Sequence, residues 1–262
     1  IAHARTCPDL GVETAAFIRS KFRAVFPWHM LAFPMVLFSS FFRSGMSCGQ
    51  MLREMIVNIP SFFFIQKLGF FDESNVNSIE WYISVMLFSM LLLYPLLRRN
   101  YSLFVHVLAP AFALGTLGWM THTYHSLTEV SVWTGLCFKS MLRGNAEIAL
   151  GTTAFEITRT LDQKALNKAQ KVFLSLLEGA FLFLSVLFMA MTVSDHYQVF
   201  CLAPLFVLVV LAFSSQTACP EIFTRPVVFY LGRLSLPLYL VQLFGDNTTA
   251  LVDLGGICEE NA

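Results

Sequence analysis

The sequence predicts an all-α, polytopic transmembrane helical bundle with about seven spans and one interfacial or re-entrant segment. Three observations lead to this prediction. Hydrophobic residues make up 56% of the 262 residues and charged residues only 13%, whereas soluble domains are about one-quarter charged. Several apolar runs approach the roughly 20 residues with which an α-helix crosses about 30 Å of hydrocarbon. The basic residues are concentrated in alternate loops, as expected of loops on the cytoplasmic side.

The clearest span, called helix c, is the apolar run 79–97. Arg98 and Arg99 follow it directly, and basic residues favour the cytoplasmic side, so this helix is predicted to run from outside to inside. Trp81 and Tyr82 lie where an aromatic belt would meet the outer membrane interface.

Six further apolar runs are predicted to span the membrane, and one shorter run is not. The spans are helix a (24–42), helix d (101–119), helix e (137–157), helix f (172–193), helix g (197–213) and helix h (227–244). Segment 51–66 is apolar but contains Arg53, Glu54, Asn58 and Pro60. It is too short and too polar to span, which predicts an interfacial or re-entrant segment.

The charge distribution predicts the topology of these spans. Of the 17 lysines and arginines, eleven fall in the loops predicted to be inside and three in those predicted to be outside. This excess favours an inside N-terminus and an outside C-terminus. The chain is then divided into a polar cytoplasmic segment (1–23), a membrane domain (24–244) and a short non-cytoplasmic tail (245–262). We expect a multi-pass protein of the plasma or inner membrane.

Polar residues at helical spacing within these spans are the candidate functional residues. Arg143 and Glu147 in helix e are four residues apart and share one face. They could line a polar cavity, since ionisable groups inside a membrane are costly and commonly functional, or they could pair with each other and only lock two helices. Ser84 in helix c shares a face with Glu80, and this polar stripe should face protein or a water-filled cavity rather than lipid. Ser235 and Tyr239 in helix h could line a cavity or only mediate tight helix packing.

A basic cluster precedes helix a. Arg19, Lys21 and Arg23 could bind phosphates, or they could act only as a topology signal. His122 and His125 have an HxxH spacing without an evident third ligand, so no metal site is predicted. The six cysteines form no CxxC pair, and no disulfide framework is expected.

Four segments in order resemble a known family. FIRSKFRAVFP (17–27), NxxxxEWYIS (75–84), RGNAEIALG (143–151) and YLGRLSLPLYLVQ (230–242) are similar to motifs of the integral-membrane acyltransferase-3 family. Its members are multi-helix O-acyltransferases that modify bacterial polysaccharides. The resemblance extends from about residue 17 to about residue 243.

The resemblance implies transfer of an acyl group, usually acetyl, from acyl-CoA to a sugar hydroxyl of a cell-surface polysaccharide or glycolipid. Acyl-CoA is then a co-substrate, with no bound cofactor, and the bilayer and the sugar acceptor are the other partners; nucleic acid is not expected. The donor-binding residues would be Arg19, Lys21 and Arg23. The acceptor cavity would be lined by Trp81, Ser84, Arg143, Glu147, Ser235 and Tyr239.

The resemblance also implies about ten spans in whole family members and a catalytic His in their first helix. That His is expected upstream of Ile1, so the chain as given is expected to be inactive without it. Two other interpretations remain open from the residues alone. The chain could be a non-enzymatic transporter or export component for sugar or lipid intermediates, or a seven-helix receptor.

Overall fold

The structure, a computed structural model, describes residues 9–45, 47–69, 81–127, 131–191, 198–217 and 225–240. This part of the chain is all-α, as predicted. Its helices are α1 (Leu10–Ser44), α2 (Cys48–Val57), α3 (Ile59–Phe62), α4 (Trp81–Arg99), α5 (Tyr101–Leu103), a π-helical turn (Phe104–Leu108), α6 (Ala109–Tyr124), α7 (Lys139–Asp162), α8 (Lys168–Ala190), α9 (Gln198–Ala212) and α10 (Pro226–Leu240).

Four of these helices are long and apolar enough to cross a membrane. They are the Leu10–Ser39 part of α1, α4, the continuous run Tyr101–Tyr124, and α8. The prediction of seven spans is therefore wrong in number for the described residues. Helices a, c, d and f correspond to these four, whereas helices e, g and h are helical but do not meet the requirement.

The three remaining helices fall short for two physical reasons. The 24 residues of α7 are enough to span, but six of them are charged, and each charge in hydrocarbon is costly. Helix α9 has 15 residues, which at 1.5 Å per residue reach only about 22 Å. The described part of α10, Pro226–Leu240, is equally short.

Helix α1 is longer than helix a. The sequence predicts helix a over 24–42, but α1 starts at Leu10 and has 35 residues. The Asp9 side chain begins it by accepting hydrogen bonds from the backbone N–H groups of Gly11 and Val12, as an N-cap does. The helix ends at Gly45, whose φ of 58° is left-handed and suits glycine. The basic cluster therefore belongs to the same helix as the apolar segment that follows it.

The chain forms two compact units, which are described separately. The first comprises the described residues within Ile1–Leu91, Trp133–Met141 and Leu231–Ala262, and the second those within Leu92–Val132 and Leu142–Tyr230. In the first unit, α1, α4 and α10 pack on one buried apolar cluster: Val25, Ala32, Phe64, Ile83, Leu87 and Leu240.

Helix α7 contributes to two buried apolar clusters of the second unit. Its Ala149 joins a cluster with Phe104, Val105 and Ala109, and its Ala146 joins another with Ala113, Leu117 and Met120. Alanine at these contacts lets helix backbones approach closely, which is how membrane helices associate.

The π-helical turn before α6 is explained by a proline. Pro110 has no N–H to donate to the preceding turn, and the backbone widens over Phe104–Leu108. The hydroxyl of Thr153 in α7 donates to the carbonyl oxygen of Val105 at 3.1 Å. A side chain thus satisfies a carbonyl in the irregular turn, as bends in membrane helices require.

Helix α8 is polar inside and apolar outside. Its buried residues are Glu178 and Ser185, whereas Phe173, Leu176 and Phe183 are each more than 60% exposed. This distribution is the reverse of that in a water-soluble helix, because water disfavours exposed apolar surface. It suits a helix whose outer face contacts lipid.

Segment 51–66 contains an amphipathic helix rather than a span. Helix α2 has no buried residue, and Leu52, Met55, Ile56 and Ile59 are exposed at helical spacing. An apolar face of this kind, on a helix of 10 residues, is typical of a segment that lies in the membrane interface.

The charge distribution predicts that residues 158–171 are inside, which requires α7 to cross the membrane although it is not among the four candidate spans. Labelling of single cysteines introduced at Ala165 and at Thr123, both exposed, tests this. The background carries serine at the six native cysteine positions. An impermeant maleimide added to intact cells should label position 123, and position 165 only after permeabilisation, because basic loops remain inside. Labelling of both positions in intact cells would show that α7 does not cross, and labelling of position 165 alone would overturn the predicted orientation.

Candidate functional site

The basic cluster of α1 does not act as one surface. Arg19 and Arg23 are both exposed and line the same open groove, together with Val12, Ala15, Ala16 and Ser20. Residues four apart on a helix have Cβ atoms about 5–6 Å from each other. The two guanidinium groups therefore form a pair of cations beside a hydroxyl, which is a suitable arrangement for a phosphate or a pyrophosphate.

Lys21 lies on a different face of α1. Two residues correspond to about 200° of helix rotation, and the Lys21 ammonium lies 5.4 Å from the centre of the Phe17 ring. Such a cation–π contact holds an exposed lysine weakly. Of the three predicted donor-binding residues, the structure brings together Arg19 and Arg23 and separates Lys21 from them.

Helix c and helix h, now α4 and α10, meet in the first unit. Ser84 is 1% exposed, and its hydroxyl has no hydrogen-bond partner among the described residues. Tyr239 is half-buried and packs against the apolar cluster that contains Ile83 and Leu240. A buried hydroxyl without a partner is uncommon, since most buried polar atoms are hydrogen-bonded.

Trp81 and Ser235 contribute less to this region. The Trp81 ring contacts that of Tyr82 edge-to-face at 5.7 Å. Ser235 is exposed, and its hydroxyl donates to the carbonyl oxygen of Gly232 at 2.7 Å, so its one donor is used within α10. Gln242 and Glu80, which belong to the same sequence motifs, lie outside the described residues.

Arg143 and Glu147 form an ion pair in the second unit. The Nε of Arg143 lies 2.7 Å from Oε1 of Glu147, and their side chains are 26% and 23% exposed. The Nη1 of Arg143 donates to the carbonyl oxygen of Leu127 at 2.9 Å. The guanidinium therefore connects α7 to the segment after α6, and this supports the helix-locking interpretation of the pair.

The cavity predicted for Ser84, Tyr239, Arg143 and Glu147 would join residues from both units. Each pair is defined only within its own unit, so the common cavity stays a prediction. The two pairs differ in their surroundings. Ser84 and Tyr239 lie beside an apolar core, whereas Arg143 and Glu147 form an ion pair with each other.

The sequence analysis missed a buried histidine. His29 in α1 is fully buried, and its Nε2 lies 3.1 Å from the carbonyl oxygen of Phe62 at the end of α3. The rings of Phe26, Phe33, Phe62 and Phe64 surround it. A carbonyl only accepts, so Nε2 carries the proton of this bond. The spacing of His29 from Phe22, Phe26 and Phe33 was the available sequence signal.

A second polar feature lies on α8. Glu178 is 4% exposed, and its Oε1 has no hydrogen-bond partner among the described residues. Ser185, seven residues later, is also buried, and its hydroxyl has no hydrogen-bond partner there either. Both belong to the buried face of the helix.

The histidines and cysteines provide no metal site in the part of the chain that is described. No group of three His, Cys, Asp or Glu residues there could hold a metal ion, and His125 ends α6 in a left-handed conformation. Cys48, Cys137 and Cys201 are free thiols. Burial raises the pKa of the Cys137 thiol, although a hydrogen bond with Thr134 acts in the opposite direction.

No family model, no curated protein and no solved structure matches this chain. The similarity to acyltransferases therefore depends on the four sequence segments alone.

The Arg143–Glu147 pair is tested with Arg143→Lys and Glu147→Gln. Lysine lacks the planar fork that lets Arg143 bond Glu147 and Leu127 together, so Arg143→Lys should destabilise the protein by about 1–2 kcal/mol. Glu147→Gln should cost less, because the amide still accepts a hydrogen bond. Unfolding in detergent measures both, with Arg99→Lys at an exposed position as the matched control. Equal stability of all three variants would contradict the locking role.

Proposed function

We propose that this chain is a membrane O-acyltransferase that moves an acyl group, usually acetyl, from acyl-CoA to a hydroxyl of a sugar in a polysaccharide or glycolipid. Its four candidate transmembrane helices make it a membrane protein, and the plasma or inner membrane is the proposed location. The observation that carries the proposal is the pair of exposed arginines, Arg19 and Arg23, in one groove of α1.

The arginine pair suits the donor because CoA is a polyanion. Its pyrophosphate and its ribose phosphate need cations at short spacing, and guanidinium groups bind phosphate oxygens through two parallel hydrogen bonds. Ser20 between the two arginines adds a hydroxyl to the same groove. A groove that fixes the nucleotide end leaves the thioester at the end of a long, flexible arm.

The reaction requires little beyond positioning and one proton transfer. A base takes the proton of the sugar hydroxyl, its oxygen forms a bond to the thioester carbonyl carbon, and the C–S bond breaks to release the CoA thiolate, which takes up a proton. In the family that the chain resembles, a His in the first helix is the expected base. Within this chain, we propose that Trp81, Ser84, Ser235 and Tyr239 orient the acceptor.

One feature favours the alternative of a sugar or lipid-intermediate transporter. Ser84 and Ser89 in α4 are both buried, and neither hydroxyl has a hydrogen-bond partner among the described residues. Free hydroxyls along a membrane helix would suit the passage of a hydroxyl-rich solute. A transporter would move a labelled sugar across vesicles without acyl-CoA, whereas the acyltransferase would need the donor.

The donor site is tested by CoA binding to the full chain in lipid nanodiscs. Arg19→Ala and Arg23→Ala should each weaken CoA binding about tenfold, because each removes charge-assisted hydrogen bonds to phosphate. Lys21→Ala removes the same charge from another face of α1 and should change binding less than twofold. Titration calorimetry measures all three variants.

The comparison with Lys21 distinguishes a site from general electrostatic attraction. Equal losses of CoA affinity in the three variants would show that the cluster acts only through its total positive charge, as a topology signal does. Unchanged binding in Arg19→Ala and Arg23→Ala would remove the support for the donor site. Membrane yield of each variant provides the control for folding.

A further inference from the structure

The second unit contains a groove between α7 and α9 that the proposed reaction does not use. It encloses about 560 Å³, which is within the range of small-molecule sites. The groove is lined by Gly151, Ala154, Phe155, Thr158, Arg159, Asp162, Gln163, Val209 and Phe213. Its lining changes from apolar at the Gly151 end to charged at the Arg159 end.

The floor of the groove is made by small residues of α7. Gly151, Ala154 and Thr158 follow one another at three- and four-residue steps, so they share a face. A Cβ added at Gly151 would meet no atom within 4 Å, which shows that the space above it is open. The Thr158 hydroxyl reaches the carbonyl oxygen of Val210 at 3.1 Å and holds α7 against α9.

The walls of the groove are exposed apolar side chains. Phe213 is 76% exposed, Phe155 46% and Val209 38%. In water these faces would be unfavourable, whereas a hydrocarbon chain would cover them at no such cost. From Gly151 to Arg159 the helix rises about 12 Å, enough for much of one acyl chain to lie along it.

The charged end has one guanidinium with donors to spare. Arg159 is about half exposed, and its Nη1 is 3.6 Å from Oε2 of Glu156, which is too long for a strong hydrogen bond. That oxygen already accepts from the Tyr101 hydroxyl at 2.6 Å. The guanidinium also lies 6.0 Å from the centre of the Tyr101 ring. It has five N–H donors, so donors remain for another acceptor.

The neighbouring acid is already engaged. Oδ1 of Asp162 accepts hydrogen bonds from the Ser214 hydroxyl and the Ser215 backbone N–H, both at 2.8 Å. Asp162 is also the only acidic residue in 158–171, a segment that carries Lys164, Lys168 and Lys171. The lining carries one cation, Arg159, and one acid, Asp162. Because Asp162 is engaged, Arg159 is left to attract an anion at the membrane surface.

We propose that this groove binds an anionic phospholipid of the surrounding bilayer, with one acyl chain along Gly151, Phe155 and Phe213 and the phosphate at Arg159. The combination of an exposed apolar wall with a cation at one end matches the two ends of such a lipid. A second copy of the chain would leave the Arg159 donors without an anion, so it fits the groove less well.

The test measures binding of dioctanoyl phosphatidylglycerol and dioctanoyl phosphatidylcholine to the full chain in a neutral detergent by native mass spectrometry. The anionic lipid should bind about fivefold more tightly than the zwitterionic one. Arg159→Gln should remove this preference. Arg99→Gln, which deletes an exposed arginine at the end of α4, should leave the preference unchanged.

The apolar half is tested by Gly151→Leu, which fills the groove and should weaken both lipids at least fivefold. Gly151→Ala adds one methyl group in open space, so it should fold normally and produce a smaller loss of the same kind. If Arg159→Gln and Arg99→Gln act equally, the preference comes from general charge and the proposal is wrong. Unchanged binding in both Gly151 variants, or a lipid-free dimer that Gly151→Leu abolishes, would also overturn it.

Discussion

The absence of water around much of this chain is the constraint on which its structure depends. Inside hydrocarbon, polar groups must find partners within the protein. Apolar side chains there can remain on the outer surface of the protein without a free-energy cost. Helix α8 illustrates the second of these points, because Phe173 and Phe183 are exposed whereas Glu178 and Ser185 lie on its buried face. Exposed apolar area that would destabilise a soluble protein is here compatible with contact to lipid.

The same constraint explains how the part of α7 that lies in the second unit can carry five charges. Its charges are spaced so that the helix can partner them itself: Arg143 with Glu147 at four residues and Arg159 with Glu156 at three. Tyr101 and the Leu127 carbonyl then add hydrogen bonds from other segments. Because its contacts with neighbouring helices use alanine, the charged side chains do not interrupt the packing.

Much of the helical structure could be predicted from the sequence, since apolar runs and charged loops are local signals. The number of spans could not, because α7 and α9 are helical without being long and apolar enough to cross hydrocarbon alone. In the candidate site, the Arg143–Glu147 pair followed from spacing. His29 and the engagement of Asp162 by Ser214 did not, because their partners are 33 and 52 residues away.

The basic cluster of α1 shows what a helix does to a sequence motif. In the sequence, Arg19, Lys21 and Arg23 are three equal positive charges, and their number contributes to membrane orientation. On a helix they belong to two faces. Lys21 contacts the Phe17 ring, whereas Arg19 and Arg23 share a groove with Ser20. Orientation depends on the number of Lys and Arg residues near the membrane, but recognition of a phosphate depends on donors at fixed spacing. One short segment can therefore serve both purposes, and only the second is sensitive to which of its three cations is removed.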